Sequence, residues 1–254
     1  MFFFSKKTTI AASGVLQGAT DHHSHILPGV DDGVETMDEA LRILATYEAA
    51  GVKALWLTPH IMEDIPNTPQ KLKARFAELQ AAYTGNITLH LAAEYMIDNN
   101  LRKLLQNHCP SCVRGTSDTV AEGDELLPIG SKGNHLLVET SYYNPPMRLK
   151  ETLRQIKSLG YHPLLAHPER YMYMDNDEYR ELHEEGIKFQ LNLASLAGGY
   201  GKTVKKKAEW LLKKELYSIA GSDLHCEDAI EFITGCRIGE KEIKQVEQIL
   251  HKCI

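Results

Sequence analysis

Short continuous apolar runs alternate along the chain with longer segments in which apolar side chains recur every three or four positions. These are the signatures of buried strands and of amphipathic helices. ATDHH at 19–23 is followed by TMDEALRILATYEAAG at 36–51, where Thr36 reads as an N-cap, Glu39 as its capping-box partner and Gly51 as a stop. VKALWLT at 52–58 reads as a buried strand that runs to Pro59 and His60, with a helix over 68–85 behind it. NITLHLAAE then precedes a short helix around LRKLLQN, and NHLLVET precedes PMRLKETLRQIKSLG. HPLLAH pairs with NDEYRELHEEG, IKFQLNL with TVKKKAEWLLKKE, and LYSIAG with the closing GEKEIKQVEQILHK.

This pattern predicts about seven β/α units. Strand-helix alternation with short connections implies a parallel sheet covered on its faces, an α/β class. Seven units suit a closed or nearly closed barrel, with a doubly wound sheet as the alternative. The expected organisation is an N-terminal extension over 1–18 and a single barrel domain over 19–254. The polar stretch 108–133 is too long for a normal connection and is expected to be a surface excursion or lid.

Composition narrows the partners. The 254 residues are 43% hydrophobic and carry a net charge of −6, which gives no general attraction to nucleic acid or to an anionic membrane. The opening MFFFSKKTT is too short an apolar run for a signal peptide or a membrane span. Five cysteines without framework spacing argue against a disulfide scaffold, so a reducing cytoplasm is expected. Cys109 and Cys112 form a lone C-x-x-C, read as incidental. The lysines of 202–214 read as a solvated helix face.

The chemistry emerges when polar residues are placed on the strands. His23 and His25 end the first, His60 follows the second, Glu94 closes the third and Glu139 the fourth. His167 ends the fifth, and Asp223 and His225 lie just past the seventh. In a parallel barrel these positions share the C-terminal rim, where active sites are built. Imidazoles mixed with carboxylates suit Mn²⁺, Fe²⁺ or Zn²⁺ and suit Ca²⁺ poorly, and the set is large enough for two or three ions that share a carboxylate. Each residue alone has a bland reading: a strand-end histidine is usually a satisfied polar group, and Asp31 and Asp32 in a Pro-Gly loop serve equally as turn formers. Joint placement on one rim favours metal. Asn192 and Ser195 fall on the sixth loop of the same rim, whereas His22 should face away from His23 and His90 reads as structural.

DHHSHILPGVDDG, TPH, AAEYM, LLVETS, AHPERY and GSDLH, in that order, resemble the polymerase-and-histidinol-phosphatase superfamily. The likeness is strongest to its capsule-operon tyrosine phosphatases of the CpsB and CapC type, and it spans about 21–225. It implies a distorted (β/α)₇ TIM-like barrel with a trinuclear, usually manganese-dependent centre. By position, His23, His25, Glu94 and Asp223 would hold one ion, Glu94 bridging to a second completed by Glu139 and His167. Asp31, His60 and His225 would hold the third, and Arg170 would bind phosphate. Of the first motif, His22 and Asp32 are left as neighbours. Ile61 stands where relatives often carry a second histidine, and Arg237 is the nearest candidate for a second arginine. The implied activity is phosphotyrosine hydrolysis on the tail of a bacterial tyrosine kinase that controls capsular or exopolysaccharide synthesis. A small-molecule phosphomonoesterase and a non-catalytic phosphopeptide-binding regulator are the rivals, and a homo-oligomer is left open. Cysteine-based phosphatase chemistry needs C-x₅-R, and no cysteine here has an arginine six positions on.

Overall fold

The structure, a computed structural model, describes residues 7–108 and 125–254. Most of the expected excursion, with Cys109 and Cys112, lies outside the described residues. The chain opens with β1 (Lys7–Thr9), α1 (Ile10–Ser13), β2 (Thr20–Asp21), α2 (Met37–Ala49), β3 (Ala54–Leu57) and β4 (His60–Ile61). Next come α3 (Pro69–Ala82), β5 (Thr88–Leu91), β6 (Glu94–Met96), α4 (Asn99–Asn107), β7 (His135–Glu139) and α5 (Leu149–Ser158). Then follow β8 (His162–Ala166), α6 (Asn176–Glu184), β9 (Lys188–Asn192), α7 (Leu193–Ala197), α8 (Gly201–Lys213) and β10 (Tyr217–Gly221). The last elements are α9 (Asp228–Thr234), β11 (Arg237–Gly239) and α10 (Glu240–Leu250). Helix starts follow their sequence signals: Thr36 accepts from the Glu39 amide, Thr68 precedes Pro69 at the first turn of α3, and Asp175 forms a capping box with Glu178.

Apart from the antiparallel pair β1-β11, the strands lie in two parallel sheets, β10-β9-β8-β7-β6-β4 and β2-β3-β5. They are parts of one barrel, because β3 and β4 are a single stave broken at Thr58-Pro59, and β5 and β6 are a single stave broken at Ala92-Ala93. Proline lacks the N–H a ladder needs, which explains the first break. The ring closes where the chain after β2 runs beside the end of β10. His22 N donates to Ala220 O, Asp223 N to His23 O and His25 N to Leu224 O, and Ser24 bridges Leu224 in parallel. The result is a distorted barrel of seven parallel staves among the described residues, so the barrel expectation holds over the doubly wound sheet.

Alternation along the staves separates two cores. Leu136 and Val138 of β7 join the large core between barrel and helices, whereas Leu137 packs inside the barrel with Ala92, Ile129, Leu164, Ala166 and Ile219. Two residues further up the same face, Ala92 gives way to Glu94 and Leu137 to Glu139. The apolar plug inside the barrel is thus a floor beneath the polar rim. Lys7–Thr9 pair antiparallel with Arg237–Gly239, and Ile10 is buried beneath them, which ties the described part of the N-terminal segment to the last unit.

Closure demands glycine at 221. A Cβ there would lie 2.5 Å from His23 Cβ and 2.7 Å from His23 N. Gly221→Ala is expected to prise the closing stave away at a cost of about 1–3 kcal/mol, which lowers Tm by roughly 3–10 °C. An unchanged thermal midpoint would contradict closure at this contact.

Candidate metal centre

Histidines and carboxylates from six staves meet on the C-terminal rim in three overlapping groups, with ligand atoms within 4.8 Å of one another in each. One holds His23, Glu94, His167 and Asp223; a second holds His60, Glu94 and Glu139; a third holds His25, Asp32, His60 and His225. Glu94 is the hub. Its fully buried carboxylate lies 3.2 Å from His23, 3.3 Å from His25, 3.2 Å from His60 and 3.0 Å from His167. His25 also reaches the first group, its Nε2 standing 3.1 Å from His23 Nε2 and 3.5 Å from Asp223 Oδ1.

The structure brings together His23, His25, His60, Glu94, Glu139, His167, Asp223 and His225, and it places Asp31 differently. The buried Asp31 carboxylate accepts from His25 Nδ1 at 2.8 Å, from the His60 amide at 3.1 Å and from the Gly33 amide at 3.1 Å. Burial would raise its pKa, but the His25 ring and the His60 amide outweigh burial and hold it at about 2. Asp32, expected only as a neighbour, is the carboxylate that faces the third group, 3.5 Å from His60 Nε2 and 3.6 Å from His225 Nε2. Gly33 is obligatory in this loop, because a Cβ would sit 2.2 Å from His25 O.

Three imidazoles are oriented through Nδ1 so that Nε2 faces the centre. His25 uses Asp31, His23 uses Gln190 Oε1 at 3.0 Å, and His225 uses the Asp223 carbonyl at 2.8 Å. Such back-side bonds fix the tautomer of a metal ligand. Gln190 also accepts from the His167 amide at 3.1 Å, a role not foreseen from sequence although it lies two positions before Asn192 on β9. Two centre residues, His167 (φ 33°) and Asp223 (φ 54°), adopt the left-handed region without being glycine, the strain expected where surrounding structure overrides backbone preference at a site.

Asp223 links this cluster to an arginine. Its Oδ2 accepts from Arg170 Nη1 at 2.8 Å and from Asn192 Nδ2 at 2.8 Å, while Oδ1 lies 3.4 Å from His23 Nε2. Arg170, Tyr142 and Tyr200 line a cleft of about 420 Å³ together with His60, Glu139 and His225. Ser195 is buried and does not line that cleft, and Arg237 donates instead to Lys7 O on the β1–β11 sheet. Ile61 is buried in the core. His22 bonds Ala220 O, and burial pushes its pKa down to about 4, while His90 stacks on Trp56.

The donor set fits divalent cations. Ligand bonds of about 2.1 Å place tetrahedral neighbours roughly 3.4 Å apart and octahedral neighbours roughly 3.0 Å apart. His23, His25, Glu94 and Asp223 present edges of 3.1 to 3.5 Å. The buried Nδ1 of His60 lies 3.2 Å from both Glu94 and Glu139 yet hydrogen-bonds to neither, so it points between them. Without a cation, protons must hold the cluster together. Burial alone would depress His23, but Glu94 and Asp223 outweigh it and lift the pKa to about 9; His25 is lifted well above the usual range by Asp31 and Glu94 against the same burial. Metal loading near neutral pH is expected to release protons from these rings, measurable by calorimetry in buffers of different ionisation enthalpy. Loading without proton release would contradict this electrostatic picture.

Fold and site together define a β/α barrel with a multi-residue metal-binding centre at its C-terminal rim. Residues 19–231 match the family described as "Capsular polysaccharide synthesis, CpsB/CapC", and the chain belongs to it. It is 27% identical over 221 residues to the tyrosine-protein phosphatase CpsB of Streptococcus pneumoniae, covering 82% of this chain and 84% of that protein. It is 25% identical over 214 residues to the tyrosine-protein phosphatase YwqE of Bacillus subtilis, covering 81% and 76%. Among solved structures, a chain from the work on YwqE and CpsB, described as unique metal-dependent tyrosine phosphatases, superposes with a TM-score of 0.71 at 21% identity, covering 91% of this chain and 94% of that one. The lactonase Lmo2620 of Listeria monocytogenes superposes with a TM-score of 0.51 at 12% identity, covering 91% and 85%. These structural likenesses establish the barrel.

Proposed function

We propose that this chain is a metal-dependent protein-tyrosine phosphatase acting on a phosphotyrosine protein of capsular or exopolysaccharide synthesis, with the tail of a bacterial tyrosine kinase as its partner. One observation carries this reading: Glu94, ringed by four imidazoles, opens onto the same cleft as a guanidinium. Family membership supports it, since relatives across most of their length are named tyrosine-protein phosphatases. No helix among the described residues is long and apolar enough to cross a membrane.

In this reading His23, His25, Glu94 and Asp223 hold one ion, and Glu94, Glu139 and His167 a second. His60 and His225 hold the third with Asp32, while Asp31 orients His25. Manganese is the first choice, with iron or zinc as alternatives. When bound, two or three such ions supply an acidified water near neutral pH and positive charge against phosphate oxygens.

The chain's own groups do the rest. Asp31, Gln190 and the Asp223 carbonyl engage Nδ1 of the three imidazoles and keep Nε2 turned inward, toward the place a cation would take. Arg170 spends one N–H on Asp223 and keeps others for the equatorial oxygens of a phosphoryl group, where charge develops in transfer. A tyrosinate leaving group, whose parent pKa is about 10, needs little help from a general acid. Cys226 lines the cleft, but Phe232 stands six positions on, so it cannot head a cysteine phosphate loop.

Steady-state kinetics on phosphotyrosine peptides against small alkyl phosphates tests the substrate class. The peptides should turn over with the higher kcat/KM. Equal or better turnover of alkyl esters would transfer the site to small-molecule phosphomonoesters.

A further inference from the structure

Arg170 is held in an unusual way. Its guanidinium carbon lies 4.2 Å from the centroid of the Tyr142 ring and 4.1 Å from that of Tyr200, while Nη1 donates to Asp223. Tyr142 comes from the loop after β7 and Tyr200 from the turn before α8, so two separate β/α connections supply the two rings. The far ring is itself tethered: Asn192 Nδ2 donates both to Tyr200 OH at 3.3 Å and to Asp223 Oδ2 at 2.8 Å. Burial pushes both phenols up, Tyr200 to about 12, so the rings remain neutral.

A guanidinium between two aromatic faces loses its freedom to rotate out of plane but keeps the N–H groups on its edge. Cation–π attraction to each face restrains the plane, and the bond to Asp223 fixes the rotation within it. Lysine could not be held this way, because an ammonium has no plane to clamp.

We propose that Tyr142 and Tyr200 are positioning residues that clamp Arg170 edge-on to the cleft, so that phosphate meets a pre-oriented fork of donors. The inference rests on the phosphatase reading for its biological ligand, yet it concerns phosphate binding, which is measurable without turnover. The ring face does the work at both positions, and the hydroxyls contribute only the Tyr200 tether.

The test is calorimetric titration of inorganic phosphate into metal-loaded protein, with metal content and thermal midpoint recorded for every variant. Tyr142→Leu and Tyr200→Leu should each weaken phosphate binding about three- to tenfold with metal content unchanged. Tyr142→Phe and Tyr200→Phe, which keep the ring faces, should stay within about twofold of the parent protein. In an Arg170→Ala background Tyr142→Leu should cost nothing further, because its effect passes through the guanidinium. Tyr142→Gln gives a second ringless variant should the leucine protein fail to fold, with the same loss expected. Unchanged phosphate affinity in the ringless variants, or a full additional loss on Arg170→Ala, would overturn the clamp. If phosphate behaves as described but phosphotyrosine peptides are not hydrolysed, the clamp stands and the substrate reading falls.

Discussion

Glu94→Gln should lower kcat/KM for phosphotyrosine substrates by about a thousandfold or more and leave fewer metal ions per chain. The side chain is fully buried and almost isosteric, so packing is retained and the loss falls on charge. Glu94 is the acidic group common to two of the three ligand groups. Four imidazoles stand within 3.3 Å of its oxygens, and no other carboxylate in the centre reaches all of them. An amide offers one weaker ligand oxygen and turns two N–H donors toward groups that should meet a cation. Plasma emission analysis of the dialysed variant beside the parent protein, with kinetics on the same samples, reads both effects. Full metal content with full activity would remove Glu94 from the centre.

The second large effect is a contrast between neighbours. His167→Ala should abolish activity and reduce bound metal, because Nε2 of this ring lies 3.0 Å from Glu94 and its amide is tied to Gln190. Arg170→Ala, three residues on, should keep its metal and lose phosphate affinity, with KM raised at least about tenfold. The segregation follows from geometry: His167 points into the buried cluster, whereas Arg170 touches it only through the outer oxygen of Asp223. Unchanged metal in His167→Ala would take that ring off the ligand list. Loss of metal in Arg170→Ala would mean that the guanidinium sustains Asp223 as well as binding phosphate.

Much of this centre was legible in the sequence because strand periodicity is rigid. Ala92 and Glu94, or Leu137 and Glu139, are two positions apart on a stave, so an apolar floor and a polar rim can be read from one face. Asp31 and Asp32 resisted that logic. They are adjacent in a loop, where no period applies, and their roles are separated by the hydrogen bonds that Asp31 accepts from His25 and from the His60 and Gly33 amides, which draw one carboxylate inward and leave the other beside His60 and His225. Tyr142 and Tyr200 gave no signal, since their shared partner Arg170 lies on a third connection and only folding brings them together. The break at Ala92-Ala93 and the five-residue α7 were equally hidden, both being too short to show a period.

The most direct measurement is elemental analysis of protein purified without chelator, paired with phosphotyrosine-peptide hydrolysis before and after chelation of the same sample. Two or three manganese, iron or zinc ions per chain are expected, with activity lost on chelation and restored by readdition of the ion. Full hydrolysis by a chain that carries no metal would contradict the metal-centred phosphatase.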